Sequence, residues 1–448
     1  MSSRMVVVLG LLASAGVQAE DQAPAAAPAA APAAASSPAA APAAASTPAL
    51  GSVLDEWTAG LPDWLKLGGE IRGRLDNYFG LNGEPGRDNS YYLHRVRLNT
   101  TVSLASWLRV VAQAEDSREV GYDRAPVPYT VADPLDLRQG YVEAGAAGGE
   151  APWSVRVGRQ PLAFGDTRLL GTSNWGNVGP NFDAVRASLR QPGVRLDVFS
   201  SLVVIPCAGF DRPRWDKTLS GLYSSFDLPQ KAGVLDAYVF WKKNTILEDV
   251  ETYGLRSVGK LPAHFDYNVE AALQRGHVET QADAAWAGHW EVGRRFGVGS
   301  GNVRVATEYN HATGDRAAGD GRYQSFDQMY PTSIYGTAAD FGWRNLHEPA
   351  VSVEWQPDRK TKIKTVGHGF WLAQRADALY TYSGAVFASD PTAADSRVGE
   401  EVDIRAIRQM TKKLQFWVGF AHLFPGPYLR EAGKGAINYP YGMWTYSF

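Results

Sequence analysis

The chain has 448 residues and a formal net charge of −3, which by itself says nothing about nucleic acid; no nucleic-acid partner is expected. Its single cysteine, Cys207, excludes an internal disulfide and a thiolate metal site. Past the N-terminal region no run approaches the ~18 apolar residues of a spanning helix.

Residues 1–19 read as a signal peptide. Arg4 supplies the positive start, residues 5–12 the apolar run, and Val17-Gln-Ala19 the small-residue cleavage site before Glu20. No cysteine follows that site, which argues against a lipoprotein anchor. Residues 20–60 form a second segment, of which 21–50 is almost entirely Ala and Pro. Proline every few residues breaks the helix that alanine favours, so a short, disordered periplasmic spacer is predicted.

From 61 to 448 no linker or repeat intervenes, and the pattern has period two. In 67–79, Leu67, Ile71, Leu75 and Phe79 alternate with Glu70, Arg72, Arg74, Asp76 and Tyr78. In 93–104, Val96, Leu98, Val102 and Leu104 oppose Arg95, Arg97, Asn99 and Thr101. In 108–115, Leu108, Val110, Ala112 and Ala114 oppose Arg109, Gln113 and Glu115. Further strands are predicted at 135–145, 153–160, 182–190, 194–202, 218–226, 234–243, 252–259, 265–276, 283–292 and 302–310. The series ends with 348–356, 363–375, 399–408, 414–422 and 440–448. Short turns alternate with long connections, among them 80–91, 116–133, 161–181, 203–216, 311–345, 376–398 and 423–438. The final stretch places Trp444, Tyr446 and Phe448 on one face. A sandwich has little use for such a strand, whereas a membrane barrel seats its aromatics at the lipid boundary. The reading is an all-β fold: a transmembrane antiparallel β-barrel of about 18 strands in the outer membrane of a Gram-negative bacterium. The terminal aromatics resemble the signal that the barrel-assembly machinery reads.

If the apolar face meets outer-membrane lipid, the charged face lines the lumen. Arginine outnumbers lysine 32 to 12. Arg72, Arg74, Arg95, Arg97 and Arg109 come from three consecutive strands, and Arg156, Arg186, Arg195 and Arg304 add to them. Glu70, Asp76, Glu115, Glu143, Asp197, Glu270 and Glu308 are interspersed. A guanidinium binds carboxylate in a planar fork at any relevant pH, and rings of such groups select anions in pores. A general diffusion pore carries lumen arginines as well. Tyr78, Tyr141 and Tyr238 share the lumen parity, as stacking or as packing residues.

Catalytic chemistry is not indicated. Eight histidines lie without metal spacing, and neither a Gly-x-Ser-x-Gly nor a His-Glu-x-x-His motif occurs. His289, His311 and His422 show no serine partner. No catalytic residue, metal ligand or cofactor is expected.

One group of motifs resembles the alginate-export family of outer-membrane barrels. It includes Val157, Gly158, Arg159 and Gln160, then Gly165-Asp-Thr-Arg-Leu169, Asn174 with Trp175, and Phe182, Asp183 and Arg186. It continues through Phe326-Asp-Gln-Met329, Tyr330 and Pro331, then Tyr335-Gly336, Trp343 and Asn345. Phe370-Trp-Leu-Ala373, Asp377, Tyr380, Asp403 and the run Gly419-Phe-Ala-His-Leu-Phe-Pro-Gly426 complete it. The resemblance implies an 18-stranded monomer with an arginine-rich lumen, passing an anionic polyuronate, with periplasmic export proteins as partners. The expected function is an anion-selective channel for acidic polysaccharide or oligosaccharide. The alternatives are a porin for small carboxylates or other nutrients, an outer-membrane enzyme, and a structural or adhesive barrel. Arg72, Arg74, Arg95, Arg97, Arg109 and Arg156 are expected at the constriction.

Overall fold

A strand with one apolar face and one charged face is stable only where each face has its own medium, and a closed ring of such strands provides both. In a computed structural model, which describes residues 60–123, 126–145, 151–245, 247–332 and 334–448, the chain forms that ring. The signal-peptide and Ala/Pro readings lie outside the described residues.

Strands β1 (Leu65–Phe79), β2 (Asp88–Ala105), β3 (Leu108–Val120), β4 (Asp133–Gly145), β5 (Trp153–Gln160) and β6 (Asn181–Gln191) open the barrel. They are followed by β7 (Val194–Ile205), β8 (Arg212–Asp227), β9 (Gly233–Asn244), β10 (Glu248–Leu261), β11 (Phe265–Val278), β12 (Gln281–Val298) and β13 (Gly301–Ala312). The wall is completed by β15 (Leu346–Asp358), β16 (Thr361–Leu372), β19 (Arg397–Gln409), β20 (Leu414–Pro425) and β21 (Ile437–Ser447). Three short strands, β14 (Arg322–Tyr323), β17 (Leu379–Tyr380) and β18 (Val386–Ala388), belong to loops. Each wall strand pairs antiparallel with its neighbours, and β1 closes on β21 through Glu70↔Ser447, Arg72↔Thr445 and Arg74↔Met443. The wall is therefore a closed antiparallel barrel of eighteen strands.

Wherever the sequence alternates, a wall strand forms. The strands outrun that alternation at their ends, as in β2, which begins at Asp88 rather than near 93, and in β7 and β8, which shorten the 203–216 loop to 206–211. Backbone ladders continue beyond the apolar belt, and there polar residues such as Asp88, Asn89 and Ser90 occupy both faces and erase the pattern.

Leu75, Leu98, Val157, Leu255, Val351 and Val418 are each about half exposed on the outer face. Among the described residues no helix is long and apolar enough to cross a membrane. One rim carries short turns, including 106–107, 192–193 and 359–360. The other carries 161–180, 313–345 and 373–396. These long loops fold inward, so the core sits inside the ring. Leu162, Leu170, Phe326, Phe341 and Trp343 from the loops pack with Phe182, Phe240 and Phe370 from the wall.

Candidate functional site

The even-numbered residues of β1 and odd-numbered residues of β2 point away from the exposed apolar face. Among them, Arg72, Arg74, Arg95 and Arg97 are nearly covered, at 2%, 6%, 2% and 8% exposure. The β5–β6 loop covers them. Arg72 donates to the carbonyls of Asn174 (2.5 Å) and Gly176 (2.8 Å) and to Oδ1 of Asn177 (3.1 Å). Arg95 donates to the same Gly176 carbonyl (3.2 Å), Arg97 to Oδ1 of Asn174 (3.1 Å) and Arg74 to the Trp175 carbonyl. The Arg74 guanidinium also lies 4.5 Å over the Trp175 ring. Carboxylates fix three of the four: Glu70 on Arg95 (2.6 Å), Glu115 on Arg97 (2.5 Å) and Asp76 on Arg74 (2.7 Å).

The same loop is held on the opposite wall. Asp166 accepts hydrogen bonds from Arg256 on β10 (2.8 Å) and Asn268 on β11 (2.7 Å). Arg168 donates to Glu270 on β11 (2.8 Å). Strand β10 stands half-way round the ring from β1. Residues 166–177 therefore cross the lumen from wall to wall. Burial opposes the charge of Asp166, but Arg168 and Arg256 beside it hold its carboxyl well below the usual range.

A second inward segment runs beside the first. Leu170 and Tyr330 form a parallel bridge. Tyr330 donates its N–H to the Leu169 carbonyl (2.9 Å), and Gly171 donates to the Tyr330 carbonyl (2.9 Å). Thr332 donates to the Thr167 carbonyl (2.9 Å). Two loops, each anchored to the wall, thus make a shared floor inside the barrel.

The alginate export family model matches residues 63–442, which is most of the chain. The chain belongs to the alginate-export family of outer-membrane barrels. Several solved barrels from Pseudomonas aeruginosa have a similar fold at low identity. OpdK, solved with vanillate, is 10% identical with a TM-score of 0.58 over 87% of this chain and 100% of that one. OccD3 (OpdP) is 10% identical with a TM-score of 0.57, covering 85% and 91%. OccK11 (OpdR) is 11% identical with a TM-score of 0.56, covering 86% and 95%. No curated protein matches the chain.

In this alginate-export barrel most of the motif residues organise the interior loops. Gly158 has φ 129, and a Cβ there would stand 2.2 Å from the Gly140 carbonyl oxygen, so β4 and β5 could not approach as they do. Arg159 bridges Asp183 (2.9 Å) and Asp136 (3.6 Å). Gln160 donates to the Ala184 carbonyl (3.2 Å), and the fully buried Phe182 meets Tyr330 edge-on at 5.4 Å. Pro331 is buried beside it. Trp343 takes Gln328 Oε1 on its backbone N–H (2.6 Å). Asn345 donates to the carbonyls of Gln374 (3.0 Å) and Ala378 (2.9 Å), sewing loop 313–345 to loop 373–396. Asp403 accepts from the Thr337 hydroxyl (2.7 Å) and fastens the second segment to β19.

The remaining arginines singled out in the sequence lie nearer the short-turn rim and are less covered. Glu143 takes both Arg109 (2.5 Å) and Arg156 (3.1 Å), and Asp197 takes Arg186 (2.8 Å). Asp227 takes Arg195 (3.1 Å), and Glu291 takes Arg304 (2.7 Å). Tyr238 donates to Glu270 (2.7 Å), Tyr78 stacks on Tyr439 at 4.1 Å, and the Arg156 guanidinium lies 5.2 Å over the Tyr141 ring. His289 pairs with Asn310 and His422 with Asn438, each at 2.7 Å, while His311 meets His347 at 3.2 Å. At the seam, Trp444 lies over Gly73, and Phe448 exchanges backbone hydrogen bonds with Gly69 (2.8 and 3.0 Å). Tyr446 stands beside the Phe448 ring at 6.3 Å.

Sequence reasoning passed over Asp166, Arg168, Arg256 and Arg138 as site residues. Asp166 and Arg168 stood inside a motif already noted, and Arg256 has lumen parity on a predicted strand, so both signals were present. Lys364 and Arg405 were also missed. They face each other across β16 and β19, and the Arg405 guanidinium lies 4.8 Å over Trp417.

Proposed function

We propose that this barrel is a passive channel for anionic solutes, with carboxylated saccharides as the preferred class. One observation carries the reading. Near the short-turn rim, Arg109, Arg156, Arg186, Arg195, Arg304, Lys364 and Arg405 stand at lumen-parity positions spaced around the ring. Their partial pairing with carboxylates fits conduction, which needs sites strong enough to admit an anion and weak enough to release it. A carboxylate-bearing chain could exchange its charges from one guanidinium to the next. Membership of the alginate-export family supports the same class of solute.

A second reading is favoured by the crossing segments, which narrow the interior and suit a small carboxylate better than a polymer. OpdK, a barrel of similar fold, was solved with vanillate.

Planar-bilayer recording separates them. Anion-selective conductance blocked by polyuronate supports the saccharide reading. Anion selectivity that a small carboxylate blocks and polyuronate leaves alone supports the second. Cation selectivity would sink both.

A further inference from the structure

We propose that Asp133, Asp136 and Asp211 form a binding site for a hard divalent cation, calcium by its chemistry, near the long-loop rim. Each offers a carboxylate oxygen, and the three oxygens lie within 4.8 Å of one another. All three residues are buried, with exposures of 4%, 5% and 7%. Oδ1 of Asp133 is buried and has no hydrogen-bond partner. A buried carboxylate with an oxygen that has no donor, clustered with two more carboxylates, lacks a positive partner, and a cation would satisfy all three together.

The charge balance points the same way. The nearest guanidinium, Arg159, lies 3.6 Å from Asp136 and is already engaged by Asp183 at 2.9 Å. Arg138, the next candidate, spends its donors on the carbonyls of Thr172 (3.2 Å), Gly179 (2.7 Å) and Pro180 (2.8 Å). Arg138 keeps its charge there, 4.0 Å from Glu115, so the four carboxylates of Asp133, Asp136, Asp183 and Asp211 still outnumber the two guanidinium groups, and a divalent ion balances the excess. The donor set contains oxygen alone, which suits calcium better than zinc. Calcium also tolerates irregular geometry with added water or carbonyl ligands, whereas magnesium demands a tight octahedron.

The ligands are built by local structure. Asp133 and Asp136 flank an irregularity in the β3–β4 ladder, where Leu135 adopts φ 47 and turns both carboxylates to one side. Asp211 is brought in by its own N–H, which donates to Oδ1 of Asp136 (3.0 Å), while its carboxylate takes the Cys207 N–H (2.9 Å). A bound ion would tie the start of β4 to the β7–β8 loop.

The test uses the full chain, folded in detergent and stripped with EDTA, then titrated calorimetrically with Ca²⁺ alone and with Mg²⁺ alone. Crystals soaked in Mn²⁺ are examined by anomalous scattering. The expected result is one calcium site per chain, at least tenfold tighter for Ca²⁺ than for Mg²⁺. An anomalous peak should lie among the three aspartates, with both signals lost in Asp133→Asn combined with Asp211→Asn. Calcium binding that survives the double variant, or an anomalous map without a peak there, overturns the proposal. If the variant fails to assemble, the wild-type map decides alone. The outcome is independent of the conductance measurements above.

Discussion

Arg72 and Arg95 stand directly opposite each other across β1 and β2 and donate to one acceptor, the Gly176 carbonyl oxygen, at 2.8 and 3.2 Å. Like charges in cross-strand register repel. Here the carbonyls of the crossing segment and the Glu70 carboxylate absorb that repulsion. The arginines and the segment therefore hold each other in place.

Replacing Arg72 with alanine removes three hydrogen bonds to the segment, and a bond to a charged group is worth about 1.5–3 kcal/mol. The segment should leave the wall at that end. Single-channel conductance is expected to rise well above wild type, while the barrel still migrates as a folded species. Conductance equal to wild type would show that the other three arginines suffice.

Two loop aspartates predict opposite responses to pH. Asp166 has a depressed pKa, so its contribution is present above the free-chain value of about 3.9 and is lost only in strong acid. Asp340 behaves the other way. Burial, with Asp76 and Asp403 nearby, pushes its carboxyl up to about 7 despite Arg74. Between about pH 4 and 7 the folded chain keeps a proton that the unfolded chain has lost, so stability falls as pH rises through that window. Asp340→Asn should flatten this slope and stabilise the barrel at pH 8. Denaturant unfolding at pH 5 and pH 8 checks it, and an unchanged slope would count against the assignment.

Glu143 is fully buried between Arg109 and Arg156. Glu143→Gln keeps the shape and removes the charge, leaving two guanidinium groups unbalanced. Both arginines still reach water, so the stability loss should be below the roughly 3–5 kcal/mol of a broken buried pair. Selectivity should move further toward anions, read as a shifted reversal potential in a salt gradient. A shift toward cations would contradict the placement of these groups on the solute path.

Gly69 fits the closing seam because it has no side chain. A Cβ there would lie 2.5 Å from both the Arg97 carbonyl oxygen and the Phe448 ring. Gly69→Ala should cost about 1–3 kcal/mol, an overpacking penalty, and slow the formation of the folded species on semi-native gels. Assembly at the wild-type rate would mean that the terminal ring simply moves aside.

The wall was legible in the sequence because the bilayer imposes one rule on the outer face of every strand, apolar residues at every second position, and that rule has a period. The inner face is polar except where the loops pack on it, as at Phe182, Phe240 and Phe370. Each of the eighteen wall strands can be placed by the outer-face rule, from Leu75 and Arg74 on β1 to Trp444 and Thr445 on β21. The interior was not legible in the same way. Parity assigns Arg72 and Arg97 to the lumen but cannot say whether they meet solute or protein, since that depends on where residues 166–177 run. Such a path is fixed by contacts over a hundred positions apart, such as Arg72 with Gly176 and Arg168 with Glu270, and these have no period. Motif residues such as Asn174 and Asn345 carried a trace of it, as polar side chains in loops that bond far along the chain, Asn174 to the Arg97 guanidinium and Asn345 to the carbonyls of Gln374 and Ala378.

A thin-walled tube without a solid middle flattens easily, because bending a sheet costs little while its ladder stays intact. The segment fixed to β1 and β2 at one end and to β10 and β11 at the other lies along a diameter, where flattening would stretch or buckle it. It acts as a tie-rod. Cutting it at Asp166 would therefore do more than widen a hole: the cross-section could breathe toward an ellipse, and the residues lining it would no longer keep fixed distances from one another.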